Sequence, residues 1–348
     1  MTVPADDVSW RDALNRLVRR EDLDDATTAA LMRQIMEGEA SPIQIAGLLV
    51  GLRMKGETAP EIAGLVRTMR AYALRVEVPG PVLDTCGTGG DRAGTFNVST
   101  VSALVAAGAG ARVAKHGNRA ASGRCGSADL LEAWGVVIDL GPEGVERCIA
   151  EVGIGFCFAP TFHPAIRHTM PARRELGIPT VFNFLGPLTN PAGAGHQTIG
   201  VSDPNIAPKM AEVLARLDSV HALVFHGEDG LDELTTTGPS TIWQVREGQV
   251  STWRFDPADY GLPRATIADL QGGDVEESRR VADDVLAGKP GPRRDIVLLG
   301  SAAALLAADR VTTWDEGLKA AAASLDSGAA AKVLERWVEV SQSLARPS

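Results

Sequence analysis

Four stretches of this 348-residue chain gather residue types suited to a phosphorylated, anionic ligand. The first, DTCGTGGDRAGTFNVST (84–100), sets Gly87, Gly89, Gly90 and Gly94 beside Asp84 and Asp91 and ends in Asn97, Ser99 and Thr100. Clustered glycine signals a special backbone angle or the close approach of something else. Asn, Ser and Thr favour helix N-caps. A strand, a bare loop and a helix start together offer unpaired N–H groups and the positive end of a helix dipole, which suits a diphosphate. The stretch is neither a Walker A motif nor the dinucleotide fingerprint. An ordinary tight turn is the competing reading.

The second stretch, KHGNRAASGRCGSADLLEAWG (115–135), again runs from a strand pattern into a helix pattern. Lys115, Arg119 and Arg124 supply cations for phosphate oxygens. Gly123 and Gly126 bare the backbone, and Ser122 and Ser127 add hydroxyls. His116 alone reads more readily as a hydrogen-bonded structural histidine than as a catalyst. The third stretch (158–192) carries His163, Arg167, His168, Arg173 and Arg174. Guanidinium pairs bidentately with carboxylate or phosphate; the plainer reading is solvated helix-face charge. Its end, NFLGPLTNPA, reads as a loop. The fourth, GEDGLDELTTTGPS (227–240), places Asp232 beside Glu233. Such a pair can hold Mg²⁺ when substrate phosphates and water complete the shell; alone it reads as an acidic turn.

The elements that must position these residues follow from periodicity. Residues 9–75 read as helices. Ser41–Gln44 and Thr58–Glu61 have the capping-box form, with Pro42 just inside the first. Behind them Ile45, Leu48, Leu49 and Leu52, then Ile62, Leu65, Val66 and Met69, recur at helical spacing. VEVPGP (76–81) reads as a linker. Strand candidates follow at 82–84, 111–117, 154–160, 179–184, 221–227 and 294–300, alternating with helical patterns. That alternation predicts an α/β layer structure with a largely parallel sheet, whose ligands sit at the carboxyl ends of the strands. Residues 313–340 read as helix.

Composition narrows the function. The net charge of −10 disfavours a nucleic-acid binder, which needs a basic patch or stripe. Cys86, Cys125, Cys148 and Cys157 show no CxxC spacing, so a disulfide framework or zinc site is not expected and a reducing cytoplasm is. No signal peptide and no membrane span are expected.

Taken in order, these motifs resemble the anthranilate phosphoribosyltransferases of tryptophan biosynthesis. They are the GTGGD loop (87–91), N-x-S-T (97–100), KHGNR (115–119) with GSAD (126–129), FAPTFHP (158–164), LGPLTNPA (185–192) and the Asp232–Glu233 pair. The resemblance spans nearly the whole chain. It implies an α/β fold with a small all-helical N-terminal domain and a larger domain with a mostly parallel central sheet, the cleft lying at the hinge. Residues 1–75 would form the small domain, joined by helices from about 163–178, and residues 76–348 the large one. It implies a homodimer through the helical domain and Mg²⁺ as cofactor. It implies transfer of the phosphoribosyl group of 5-phosphoribosyl 1-pyrophosphate (PRPP) to the amine of anthranilate. By matching position, Gly87, Thr88, Gly90, Asp91, Thr95, Asn97, Ser99, Thr100, Lys115 and Gly123 correspond to the PRPP site. Gly87, His116, Asn118, His163 and Arg173 correspond to the anthranilate side. Ser99, Asp232 and Glu233 correspond to the metal ligands.

No nucleophile–base pair is expected, since the work is electrostatic and positional. The family commonly has serine where this chain has Gly123, and often at Cys125; asparagines often seen in later segments are Ser278 and Gly300 here. Those last two are expected to alter local packing and not the reaction. A pyrimidine nucleoside phosphorylase and a non-catalytic nucleic-acid-binding relative are the alternatives. KHGNR and the acidic pair speak against the first and net charge against the second.

Overall fold

The computed structural model describes residues 8–345 except 92 and 121–123. Gly123 and Ser122 therefore lie outside the described residues. Four helices open the chain: α1 (Trp10–Val18), α2 (Asp25–Met36), α3 (Pro42–Lys55) and α4 (Ala59–Ala71). At α3 the Ser41 N–H donates to Gln44 Oε1 (2.8 Å) and the Gln44 N–H to Ser41 Oγ (3.3 Å). At α4 Glu61 accepts the Thr58 N–H (2.8 Å). Glu61 is fully buried and also takes the Leu23 N–H (2.9 Å) and Lys55 Nζ (3.0 Å), so one carboxylate ties three segments together. The apolar positions at helical spacing are all buried. Val18, Ile43 and Met54 instead point outward, 82%, 84% and 69% exposed.

A seven-stranded sheet follows. Its strands are β1 (Leu83–Gly87), β2 (Val113–Gly117), β3 (Ile154–Phe158), β4 (His196–Gly200), β5 (His221–Gly227), β6 (Ser240–Arg246) and β7 (Gln249–Phe255). Their spatial order is β3-β2-β1-β4-β5-β6-β7, parallel through β5 and antiparallel at β6 and β7. Chain order reverses between β1 and β4. That is the switch point at which an open α/β sheet leaves a crevice for ligand.

Twelve further helices cover the sheet and its edges: α5 (Val98–Gly108), α6 (Ser127–Trp134), α7 (Pro142–Val152), α8 (Ala159–Phe162), α9 (Met170–Leu176), α10 (Phe182–Leu185), α11 (Ala207–Arg216), α12 (Ile267–Leu270), α13 (Val275–Leu286), α14 (Pro292–Ala307), α15 (Trp314–Asp326) and α16 (Ala329–Ala345). Helix α5 is apolar nearly all round because α14, α15, α16 and the sheet enclose it. Helix α9 packs against α3, and the 3₁₀ turn before it (Pro164–Thr169) against α2 and α3.

Two strand expectations fail. Residues 294–300 lie inside α14, a buried helix whose short apolar run has no visible polar face. Residues 179–184 enter α10 instead, started by Asn183 Oδ1 accepting the Thr180 N–H (2.9 Å). NFLGPLTNPA is accordingly not a loop throughout: it runs through α10 and the 3₁₀ turn Gly186–Leu188. Three strands were not expected. HQTIG (β4) offers only two strand formers, Thr198 and Ile199, side by side and without alternation. The β6–β7 hairpin turns on Glu247 and Gly248, both at positive φ (52° and 73°), a two-residue turn with the signature of type I′.

Candidate functional site

The site grows from the ends of β1 and β4. Gly87 and Gly200 pair in register, and the Thr88 N–H donates to the Gly200 carbonyl (2.9 Å). A Cβ on Gly87 would collide with the Asp232 carboxylate, and one on Gly200 with the Asp232 carbonyl oxygen. The two glycines leave a slot, and Asp232 fills it. Its turn is anchored by Leu231 and Leu234, fully or nearly fully buried, which straddle the acidic pair. Asp229 braces the same turn by accepting from the Leu231 N–H (3.1 Å) and the Thr235 hydroxyl (2.6 Å).

Both carboxylates hold amides of the first loop and helix. Asp232 Oδ2 accepts the Gly89 N–H (2.7 Å) and Glu233 Oε1 the Ser99 N–H (3.2 Å). Burial pushes both carboxyls up. Asp91 adds to the rise at Asp232, and Asp232 to that at Glu233. Gly90 sits at φ 84°, which a branched side chain does not adopt. Asn97 stands at the N-cap of α5 but makes no side-chain cap bond there. Its Nδ2 donates instead to the Cys125 carbonyl (3.1 Å), stitching the first loop to the second.

Lys115 is 2% exposed, and burial lowers its pKa. Its Nζ donates to the Thr85 carbonyl (2.6 Å) beneath the glycine loop. Arg119 is not a free cation. It pairs with Asp129 (2.9 Å) and Glu132 (2.8 Å), which raises its pKa, and it lies over the Phe158 ring at 5.8 Å. Arg124 lines the cavity.

On the other side stands Arg173, from the last turn of α9. It is half-buried over the Phe182 ring (5.1 Å), with its pKa lowered by burial and no ion pair among the described residues. Arg174 is exposed. His116 Nδ1 lies 3.1 Å from the Gly186 carbonyl, and its pKa is pushed down to about 3, by burial first and then by His163. His163 is the one described anthranilate-side candidate that the structure does not bring to the wall. Burial pushes its pKa down to about 4, a fall that the Thr189 backbone partly offsets, and its ring centre lies 5.2 Å from that of His116.

These walls enclose a cavity of about 860 Å³. Gly87, Thr88, Gly90, Asp91, Thr95, Asn97, Ser99, Thr100, Lys115, His116, Asn118, Arg173, Asp232 and Glu233 all line it. Sequence reasoning missed Arg53, at the end of α3, and Ser202, whose hydroxyl donates to the Gly89 carbonyl (2.8 Å). Arg53 reads in sequence as a cation complementing its helix dipole, and Ser202 follows the one parallel strand without a strong pattern. Ser278 also lines the cavity. Gly300 does concern packing: a side chain there would press on Ser102.

Among the described lining residues no hydroxyl or thiol is hydrogen-bonded to a histidine, and burial pushes the Cys125 thiol up to about 11. What the cavity offers is an amide cradle with two carboxylates on one side and a guanidinium on the other. That suits charge stabilisation and positioning.

The chain is similar to known proteins along nearly its whole length. Residues 79–331 match the model of the glycosyl transferase family, a/b domain, and residues 11–73 that of the same family's helical bundle domain. The anthranilate phosphoribosyltransferase of Symbiobacterium thermophilum is 53% identical over 332 residues, 95% of this chain and 97% of that protein. The crystal structure of the Thermus thermophilus enzyme of the same name superposes with a TM-score of 0.90 at 46% identity, over 95% of this chain and 99% of that one. The Saccharomyces cerevisiae enzyme, solved in complex with PRPP and Mg, superposes at 0.89 with 27% identity, over 97% and 99%. The yeast enzyme has also been solved in complex with 4-fluoroanthranilate.

Gly200→Ala tests the slot. Overpacking of this kind costs about 1–3 kcal/mol, and here it must push the Asp232 turn away from Gly87 and Gly89. We expect metal-dependent turnover to fall about tenfold or more while circular dichroism stays native. Undiminished turnover would show that the strand ends do not set the position of Asp232.

Proposed function

We infer the function from one premise: the chain belongs to the anthranilate phosphoribosyltransferase family. It transfers the phosphoribosyl group of PRPP to the amine of anthranilate, giving N-(5-phosphoribosyl)anthranilate and pyrophosphate in tryptophan biosynthesis, and it uses Mg²⁺. The observation that carries the residue assignment is a single cavity with an amide cradle and acidic pair on one side and Arg173 on the other.

We assign Gly87, Thr88, Gly90 and Asp91, with Thr95, Asn97, Ser99 and Thr100 at the head of α5, to PRPP. Lys115 lies under the same loop. Gly123 belongs to this group by matching position. Asp232, Glu233 and the Ser99 hydroxyl suit Mg²⁺, a hard cation that takes oxygen ligands and shares its shell with substrate phosphates and water. Among the described residues no cluster of three or more His, Cys, Asp or Glu is arranged to hold a metal, so substrate and water must complete the shell. When bound, Mg²⁺ would supply positive charge against the negative charge building on the leaving pyrophosphate.

The anthranilate amine is already neutral at physiological pH and needs no base before attack. Its nitrogen bonds to the anomeric carbon as the bond from that carbon to pyrophosphate oxygen breaks. One N–H proton is lost afterwards. Amides of the loop and of α5 suit the departing charge once the two carboxylates release the Gly89 and Ser99 N–H groups they hold. Arg173 fixes the substrate carboxylate so that the amine faces the sugar, with Gly87, His116 and Asn118 on the same side. His163 supports His116 from outside the cavity wall.

Helices from about 163–178 go with the helical domain, because α9 packs on α3 and the preceding turn on α2. The exposed Val18, Ile43 and Met54 on α1 and α3 support a homodimer through that domain. The four unpaired cysteines fit a reducing cytoplasm.

A charge-assisted bond contributes about 1.5–3 kcal/mol net. Arg173→Ala should therefore raise the anthranilate KM about tenfold or more, leaving that for PRPP little changed. Arg174→Ala should be nearly silent. Anthranilate fluorescence during turnover reads both constants; equal behaviour of the two variants would remove Arg173 from the site. Replacing Asp232 and Glu233 together by Ala should abolish metal-dependent turnover. Full activity in that variant, or indifference to chelator, would reduce the pair to a surface turn. For assembly, sedimentation should give a dimer, and Val18→Lys with Ile43→Lys a monomer; a wild-type monomer refutes the assignment.

A further inference from the structure

Asp84 is fully buried and does not reach the cavity. A lone carboxylate there is costly unless its oxygens are paired. Oδ1 accepts the backbone N–H of His116 (3.0 Å), and Oδ2 accepts Asn190 Nδ2 (2.8 Å). Asn190, 3% exposed, uses the rest of its capacity as well. Its amide donates to the Ala114 carbonyl (2.8 Å), and its oxygen accepts the Ala192 N–H (2.8 Å). The pair therefore staples the turn of residues 186–192 to β1 and β2.

The head of that turn presents a carbonyl to His116, whose Nδ1 lies 3.1 Å from the Gly186 oxygen. A carbonyl only accepts, so the ring must carry its proton on Nδ1. Burial keeps it neutral. The remaining nitrogen, Nε2, is then a bare acceptor, buried without a partner. His116 lines the cavity, so an N–H group bound there is the partner that Nε2 lacks, and an aromatic amine carries two N–H bonds.

We propose that Asp84 and Asn190 are positioning residues: by fixing the 186–192 turn they set the tautomer of His116 and so present Nε2 as an acceptor for the amine. This rests on the assignment of His116 to the aromatic substrate's side. The other tautomer would set Nδ1 lone pair against carbonyl lone pair and aim an N–H at a donor. The register of β2 alone does not choose between the tautomers; the turn does.

Histidine-¹⁵N NMR on the full chain reads the tautomer directly. In the native protein His116 should be neutral with its proton on Nδ1; a charged ring or an Nε2–H form overturns the proposal. Asp84→Asn keeps the volume but leaves one oxygen for two donors, and Asn190→Ala removes the staple outright. Each should mix the His116 tautomers and raise the anthranilate KM about tenfold while moving the PRPP KM less than about twofold, the split expected when one substrate's contacts alone are lost. A single Nδ1–H form persisting in a folded variant overturns the proposal, as does parallel loss of both constants with the tautomer unchanged. Mixed tautomers with an unmoved anthranilate constant would uphold the positioning and refute instead the placement of His116 beside the amine.

Discussion

Two carboxylates stand at the amides that the site proposed for the diphosphate would use. Asp232 and Glu233 already hold the N–H groups of Gly89 and Ser99, the donors a diphosphate would use. The surrounding chain carries a net charge of −10. An anion cannot take those amides while bare carboxylates hold them, so this wall works only with positive charge between acid and phosphate. Much of the local architecture serves that arrangement. Gly87 and Gly200 clear the slot, buried Leu231 and Leu234 hold the turn, and the β1/β4 switch point opens the crevice. Among the described residues Lys115 is the one buried cation beneath the loop, and its own amine is spent on the Thr85 carbonyl. It cannot by itself offset two acids.

The second organising feature is the alternation of β2. Successive side chains of a strand face opposite sides of the sheet. Lys115 therefore turns toward α5 and the phosphate half, where the Thr85 hydroxyl also reaches the Ser99 carbonyl (3.0 Å). His116, one residue on, turns toward the Gly186 turn and the aromatic half. On the assignment proposed above a single dipeptide serves both substrates, and a one-residue slip of β2 would exchange its two duties. The five-residue register with β3 and the Asp84 bond to the His116 N–H both hold it in place.

Residues close in sequence were legible; residues brought together by topology were not. The glycine loop, Lys115 and the Asp232–Glu233 pair carry their chemistry in local composition, and each lines the cavity. Gly200 and Ser202 depend on β4, whose HQTIG has too little apolar pattern to mark a strand. Arg119 looked available because a sequence cannot show that Asp129 and Glu132, ten and thirteen residues on, face it from α6. Asn97 has the type of a cap, yet the Cys125 carbonyl takes its amide. The run at 294–300 misled because a helix enclosed on every side loses the polar face that reveals its period. The helical domain was legible for the opposite reason: its capping boxes and one-sided apolar spacing are local signals, and the structure forms both.

The two halves of the cavity belong to different bodies of the fold. The amide cradle, acidic pair and Lys115 are fixed to the sheet. Arg173 rides on α9, which packs against α3, and Arg53 closes α3 at the same cavity. Both guanidinium groups are thus carried by helices tied to the N-terminal bundle. The bundle has its own core, but that core continues through Val181, Phe182 and Leu185 to Ile199 and Val224 on the sheet. Packed interiors move by discrete rearrangement, not by continuous yielding. The spacing between Arg173 and the glycine loop is therefore set by how the bundle seats on the sheet, and on the assignment proposed above substrate alignment is a property of that joint as much as of any residue in the cavity.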